Sequence, residues 1–485
     1  MTYWTDSLTR AAPVRMQRVA VVAPRGALRD VLVRVADAGC VELDRPDDSP
    51  HGTGPAARAL QTLRTEAVPP LLSRTPPDLT ALQADGRADL LAGEAQLEAH
   101  RAAAVARGPA AALAGWCPVG AVPRLGADLA DAGGALVPLR APRGIDPPTL
   151  LTATSAVRRS FGPLVRTYGT VPYTDIDPTL PAGIAYVVMF GMMFGDAGHG
   201  ALLLLGALLL RLGRPRRLAP LRRLWPFVAG AGLTSTLAGV AYGEFFGPTG
   251  VLPVLWLNPL EEPVRLLASA VGFGAILLAL AYAAGIVNRW RESGPGRALY
   301  AASGIAGAAV FLGLALVAGG VLLRLPALTW SGAALAGTGL VLVGAGLSAE
   351  SGGGASGVLQ TGIQLFDVVV RIGSNTVSFA RLAAFGLTHA ALGAIVWQAT
   401  TGLAGRGAAG VAAALLVFLL GNALAFALEA LVAGIQALRL EFYELFSRVF
   451  DAEGRPFRPW HVPTQSAEPS EPPYAPLRHV TEVTT

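Results

Sequence analysis

From residue 180 onward the chain is a succession of long apolar runs. They lie at 180–211, 224–246, 264–288, 298–323, 327–348, 358–400 and 408–446, parted by short polar or glycine-rich breaks. A helix needs about 20 apolar residues to cross the hydrocarbon core of a bilayer, so each run predicts at least one span. Before residue 180 the periods are shorter. Val19–Val22 predicts a strand, and Leu28, Val31, Leu32 and Val35 fall at the i, i+3, i+4, i+7 spacing of an amphipathic helix. Gly39 closes that helix and Cys40–Leu43 predicts a second strand. A weaker copy follows: a strand at Leu113–Cys117, a helix around Leu125 and Leu129, a Gly133–Gly134 break and a strand at Ala135–Leu139. Between the copies, 55–66 and 78–107 are rich in Ala, Leu and Glu and read as helical. Residues 140–180 form a Pro- and Gly-rich joint in which Ser155–Tyr168 is an amphipathic piece suited to a membrane surface.

Arginine placement sets the expected topology. The segment 211–223, RLGRPRRLAPLRR, belongs on the cytoplasmic side. The first forty residues show no signal-peptide pattern, so the region before 180 is expected there as well. One crossing cannot join two cytoplasmic sides. The run 180–211 is therefore expected to fold back at Gly195–Gly200, with Asp196 and His199 at the far surface. The expected fold class is mainly α: a polytopic membrane protein with eight transmembrane helices, the last two long and tilted, plus a small α+β cytosolic N-terminal domain. The expected domains are 1–178, 179–450 and a polar, flexible cytoplasmic tail at 451–485, with 1–15 a polar extension. Both termini are expected in the cytoplasm.

Composition agrees. Mean hydropathy is +0.49 and charged residues make up 15% of the 485, against about 25% in soluble domains. The net charge of +5 comes from arginines at loop edges without interleaved aromatics, which argues against nucleic-acid binding. Cys40 and Cys117 are the only cysteines, so neither a disulfide framework nor a metal cluster is expected. No phosphate-binding glycine loop occurs and no cofactor is expected.

Polar residues inside the apolar runs carry the candidate chemistry. Arg381 sits in the middle of SNTVSFARLAAFGLTHA (Ser374–Ala390). A central arginine costs about 2.5–3.5 kcal/mol on insertion scales and calls for a partner or water. On a helix, Asp367, Ser374 and Ser378 fall within roughly 60° of its direction, and His389 lies about 80° to the side. Arg371 follows Asp367 at i+4, the spacing of a salt bridge. In Gly421–Phe450, Glu429, Gln436 and Arg439 recur at i, i+7 and i+10 on one broad face. Two charged stripes predict a wet seam between helices; a structural arginine pinning two helices is the alternative.

These residues carry a resemblance. MFGMMFGDAGHG (Met189–Gly200), the Arg381 segment and the Glu429–Arg439 pair resemble the signatures of subunit a, or subunit I, of the V-type and A-type rotary ATPases. So do YGTVPYTDIDPT (Tyr168–Thr179), AYGEFFG (Ala241–Gly247), GIVNR (Gly285–Arg289) and GWCPVG (Gly115–Gly120). The resemblance implies a membrane stator, not catalytic by itself, that moves protons or sodium ions against a rotating ring of proteolipids through two half-channels. It implies that Arg381 is the essential arginine and Arg439 the second one. It places Asp367, Ser374, His389, Glu429 and Gln436 along the ion path, Gln436 standing where some members have His. Implied partners are the proteolipid ring, the peripheral stalk subunits, the ATPase head and central stalk cap indirectly, and the lipid bilayer of the cell's inner (plasma) membrane. The helical arm between the two αβ units is short for the family, a departure that bears on stalk attachment. A non-conducting assembly or anchoring subunit and a stand-alone ion transporter are the alternative readings.

Overall fold

In the computed structural model, residues 13–44, 54–63, 68–142, 144–151, 155–214, 216–351, 354–450 and 453–465 are described; most of the expected polar extension and the tail beyond 465 lie outside them. The described residues form two units, one within 13–151 together with 454–465 and one within 155–453.

The first unit is built on an antiparallel sheet. β1 (Met16–Pro24) leads into α1 (Leu28–Ala38), which ends at Gly39 with φ 56°. A side chain at Gly39 would lie 2.6 Å from the His461 imidazole, so position and conformation both require glycine. Then come β2 (Glu42–Leu43), α2 (Pro55–Thr62), α3 (Leu79–Ala84), α4 (Ala88–Ala103), β3 (Val105–Arg107), β4 (Ala110–Pro118), α5 (Val122–Ala130) and β5 (Ala135–Pro138). The sheet order is β2-β4-β1-β5, with β3 paired to β4. The two sequence copies therefore interleave rather than stand side by side, giving the split βαβ arrangement. Alternate residues Val19 and Val21 of β1 meet Val31, Leu32 and Val35 of α1 and Leu125 and Leu129 of α5 in one core. Cys40 and Cys117 sit side by side in it as free thiols. Arg29 and Glu94 form a buried ion pair, and Arg29 also donates to the carbonyls of Ser73 and Arg74.

Two expectations are corrected here. Residues 78–107 are not continuously helical, because Val105–Arg107 is drawn into the sheet by β4. The expected flexible tail is ordered through residue 465. Trp460 N–H donates to Val41 O at 2.9 Å, Leu72 N–H to Pro463 O at 2.9 Å, and Val462 is fully buried in the core. The proline-rich composition of this segment hides its role, since its backbone groups find partners at Ala36, Val41 and Leu72 and not within a periodic element.

The second unit is helical. α6 (Ala156–Tyr168) is capped by the Ser155 hydroxyl and buries Phe161, Leu164 and Val165. α7 (Thr179–Met193) and α8 (Ala197–Leu212) are separated by Phe194–Asp196, and the Asp196 carboxylate caps α8 by accepting from His199 N–H at 2.9 Å. α9 (Trp225–Tyr242) runs beside both. Val187, Gly191 and Gly195 meet Gly230, Thr234 and Tyr242 in the same direction, whereas Leu204, Gly200 and Ala197 meet Gly232, Thr236 and Gly239 in reverse. α7 and α8 are therefore antiparallel, with glycines at their close approaches to α9.

α10 (Pro263–Ser293), α11 (Pro295–Tyr300), α12 (Ile305–Leu322) and α13 (Pro326–Glu350) follow. α14 (Gly354–Ser378), α15 (Ala380–Ala404) and α16 (Gly407–Leu440) complete the bundle, and α16 runs on into a π-helical turn at Glu441–Phe446. Among the described residues six helical stretches are long and apolar enough to cross a membrane, α14 and α15 counting as one over Ser356–Ala404, while α7 and α8, at 15 and 16 residues, are shorter.

Candidate functional site

The single helix expected through Arg381 is broken just before it. Phe379 N–H bonds to Thr376 O and Leu382 N–H to Phe379 O, three-residue bonds that tighten the chain between α14 and α15. Phe379 is fully buried against Gly274 of α10, where an added methyl would lie 2.1 Å from its ring. That anchor sets the direction of Arg381 two residues on. The Arg381 side chain is 30% exposed, with Nη1 4.0 Å from Glu444 Oε1. Ser378 Oγ donates to the same carboxylate oxygen. Glu444 comes from the π-helical turn, whose wider winding turns Glu441 and Glu444 inward; both are buried. Arg439 is exposed and, with Arg381, is within electrostatic reach of Glu444. Glu441 is fully buried and neither carboxylate oxygen has a hydrogen-bond partner.

A second cluster lies about 12 Å further along α15. His389 Nδ1 is hydrogen-bonded to the Glu429 carboxylate of α16. The His389 ring is 5.7 Å from that of His199, and His199 Nδ1 is 3.7 Å from Asp196 Oδ1. Asp196 Oδ2 accepts from Gly247 N–H at 2.8 Å, and Glu244 O accepts from Ala197 N–H at 3.0 Å. The AYGEFFG loop is thus seated on the turn between α7 and α8. Phe246 holds φ 51°, an uncommon left-handed conformation for a bulky residue, and packs its ring edge-on to His199 at 5.2 Å. Phe194 lies between both imidazoles and Phe426. Asp196, His199, Glu244, His389 and Asn422 are all buried. A carboxylate hydrogen-bonded to an imidazole can hold and pass a proton.

A third group joins two more motifs. Asn288 Oδ1 accepts from Ile176 N–H, and Asn288 Nδ2 donates to Val449 O. Arg158 pairs with Asp177 at 2.7 Å, and the buried Arg289 pairs with Glu292 at 2.5 Å. Asp175 is fully buried beside them; burial and the Glu292 charge push its carboxyl up to about 7.

The expected stripe is therefore divided. Asp367 does not approach Arg381 but pairs with Arg371, both half exposed, beside a cavity of about 220 Å³ that also contacts Gln364 and Arg448. Ser374 is exposed, Ser378 joins Arg381 through Glu444, and Gln436 is partly buried with its Oε1 unpartnered. Glu429 turns to His389 instead of pairing with Arg439. Sequence reasoning passed over Glu444, Glu441, Glu244 and Asn422. The usable signal was their rarity, as ionisable or amide groups within apolar runs.

Residues 107–220 and 358–462 match the V-type ATPase 116kDa subunit family. The first segment carries Asp196 and His199; the second carries Arg381, His389, Glu429 and Glu444. A-type ATP synthase subunit I of Halobacterium salinarum is 29% identical over 390 residues, 65% of this chain and 52% of the relative. The protein of the same name from Thermococcus kodakarensis is 26% identical over 368 residues, 72% of this chain and 54% of the relative. V-type ATP synthase subunit I 2 of Treponema pallidum is 38% identical over 113 residues, 23% of this chain and 24% of the relative. The chain spans about half the length of the subunit I relatives it matches over most of its own. With its signature motifs gathered into polar clusters within a bundle of membrane-length helices, this chain is similar to subunit I of the V-type and A-type ATPases.

Proposed function

We propose that this chain is the ion-conducting stator of a rotary ATPase, carrying protons or sodium ions past a turning ring of small helical subunits. In this reading α7 and α8 are two short crossings, which with the six longer helices make eight spans and leave both termini cytoplasmic. The arginine-rich segment after α8 supports that orientation. Asp367, Arg371 and Ser374 then belong to the cytoplasmic half-channel. His389 and Glu429, with Asp196 and His199 behind them, belong to the outward one. Arg381 lies between, with Ser378 and Glu444 supporting it and Arg439 as second cation.

One observation carries this reading. Arg381 is neither sealed in the bundle nor turned wholly into the apolar surround: it is 30% exposed and backed by a buried carboxylate. Around it, Val377 at the end of α14 and Ala384 and Thr388 of α15 are exposed, the last two small enough for another helix to approach closely. Along α16, Leu420, Leu424, Leu428 and Ile435 are each more than half exposed.

The physics of translocation follows. A ring carboxylate crosses lipid only when neutral. Beside a guanidinium its ionised form is favoured, because an opposite charge within about 4–6 Å lowers a carboxyl pKa by 1–3 units. It releases its ion to one half-channel before passing Arg381 and reloads from the other. The permanently charged guanidinium does not relay protons, so the two half-channels stay insulated. A membrane potential supplies about 2.3 kcal/mol per charge per 100 mV, so several ions must cross for each ATP. The ring, the peripheral stalk and the ATPase head are the partners this requires.

The test is ATP-driven acidification of vesicles containing the reconstituted complex, read with a pH-sensitive dye. Arg381→Ala is expected to abolish acidification while ATP hydrolysis by the head continues. Acidification near the wild-type rate in that variant would refute the proposal.

A further inference from the structure

Asp196, His199 and His389 are all buried, and each presents a ligand atom within 4.8 Å of the others. Three features of this group go beyond what an ion relay needs. First, His199 is 3% exposed, and neither ring nitrogen makes a hydrogen bond of ordinary geometry, although Asn422 is its polar neighbour. An imidazole buried among Phe194, Phe246 and Phe426 without a partner is costly, and a ligand relieves that cost. Second, His389 gives Nδ1 to Glu429, leaving Nε2 as its ligating atom. A carboxylate on one imidazole nitrogen with the other left for a cation is the usual support of metal-bound histidine. Third, Asp196 is fixed by backbone N–H groups on both carboxylate oxygens, from His199 and Gly247. The charged groups acting on His389 are Glu429, Glu244 and Asp196, all acidic. The surroundings therefore favour a dication over a monovalent one.

We propose that Asp196, His199 and His389 bind a divalent transition-metal ion of the zinc class. Two imidazoles and one carboxylate suit that class better than calcium or magnesium, which prefer all-oxygen sites. Closing onto an ion at about 2.0–2.1 Å from each ligand requires side-chain movements on the order of an ångström. Because the ion takes the free nitrogen of His389, its binding blocks translocation; this consequence rests on the reading of His389 as part of the outward half-channel.

The binding experiment does not depend on that reading. The full chain, purified in detergent and freed of metal with a chelator, is titrated with Co(II), followed by visible d–d absorption, and the Co(II) is then displaced with Zn(II). The expected result is a saturable band at one equivalent, displaced by zinc and lost in both His199→Gln and Asp196→Asn. No saturable band, or a band that persists in both variants, would overturn the site, whatever Arg381→Ala does to pumping. In the reconstituted complex, zinc is expected to inhibit acidification, with at least about tenfold more required in His199→Gln, each protein referred to its own metal-free rate. A site that binds Co(II) as described while zinc leaves wild-type acidification unchanged would overturn the block.

Discussion

At the scale of single residues, two kinds of buried charge need separate treatment. Glu429 holds His389 by one hydrogen bond and leaves its other oxygen unpartnered. Glu429→Gln keeps an acceptor for the imidazole and loses the charge. It is expected to slow ATP-driven acidification by less than about a hundredfold, a milder loss than in Arg381→Ala. Complete loss in both variants would put the two residues in one role and contradict the division into clusters. Asp175 is a different case. Its carboxyl rises from 3.8 to about 7, chiefly through burial, then through the Glu292 charge, with Arg289 opposing. A raised acid pKa means that the fold favours the protonated form. The cost of ionisation is absent below about pH 4, grows as pH rises toward 7 and is complete above it. Asp175→Asn is therefore expected to melt higher than the wild type at pH 8, with the gap shrinking toward pH 5; a gap that widens on acidification would contradict this.

At the scale of elements, close helix approach decides which glycines are needed. A Cβ on Gly239 of α9 would lie 2.1 Å from Ala197 N, at the turn that holds Asp196. Because that contact is backbone, nothing can rotate away. Gly239→Val is expected to cost about 1–3 kcal/mol or more and to lower the melting temperature, whereas Gly272→Val on α10, with open space around it, is near neutral. Equal melting of the two variants would contradict the packing described. Most elements were legible in the sequence because their signals are local. The period of Val31, Leu32 and Val35, the Gly39 stop and the length of the apolar runs all act within one segment. The reversal at Asp196 was legible from arginine placement, and the structure adds why it holds: the side chain caps α8 and takes a bond from Gly247. The break at Phe379 and the π-helical turn were not legible, since both are set by packing against other helices. Those two irregularities bring Arg381 and Glu444 together, so the site depended on the least predictable part of the backbone.

At the scale of the whole molecule, the motifs read along the sequence become contacts in space. The YTDIDPT lead-in meets the GIVNR segment through Ile176 and Asn288. The AYGEFFG loop meets the Asp196 turn through Gly247. Residues 454–465 return to the first unit and complete its core with Val462, a role that no composition-based reading of a proline-rich end could expose. Among the described residues no element covers the strip around Arg381, and the proposed function requires a turning partner there. The most direct measurement places a photoactivatable amino acid at Ala384, one turn from Arg381, and another at Leu312, an exposed apolar position of α12. After illumination of the intact complex in membranes, position 384 is predicted to give an adduct with a small ring subunit and position 312 to give lipid adducts alone. Lipid adducts alone at 384, in a complex that still hydrolyses ATP, would contradict the account.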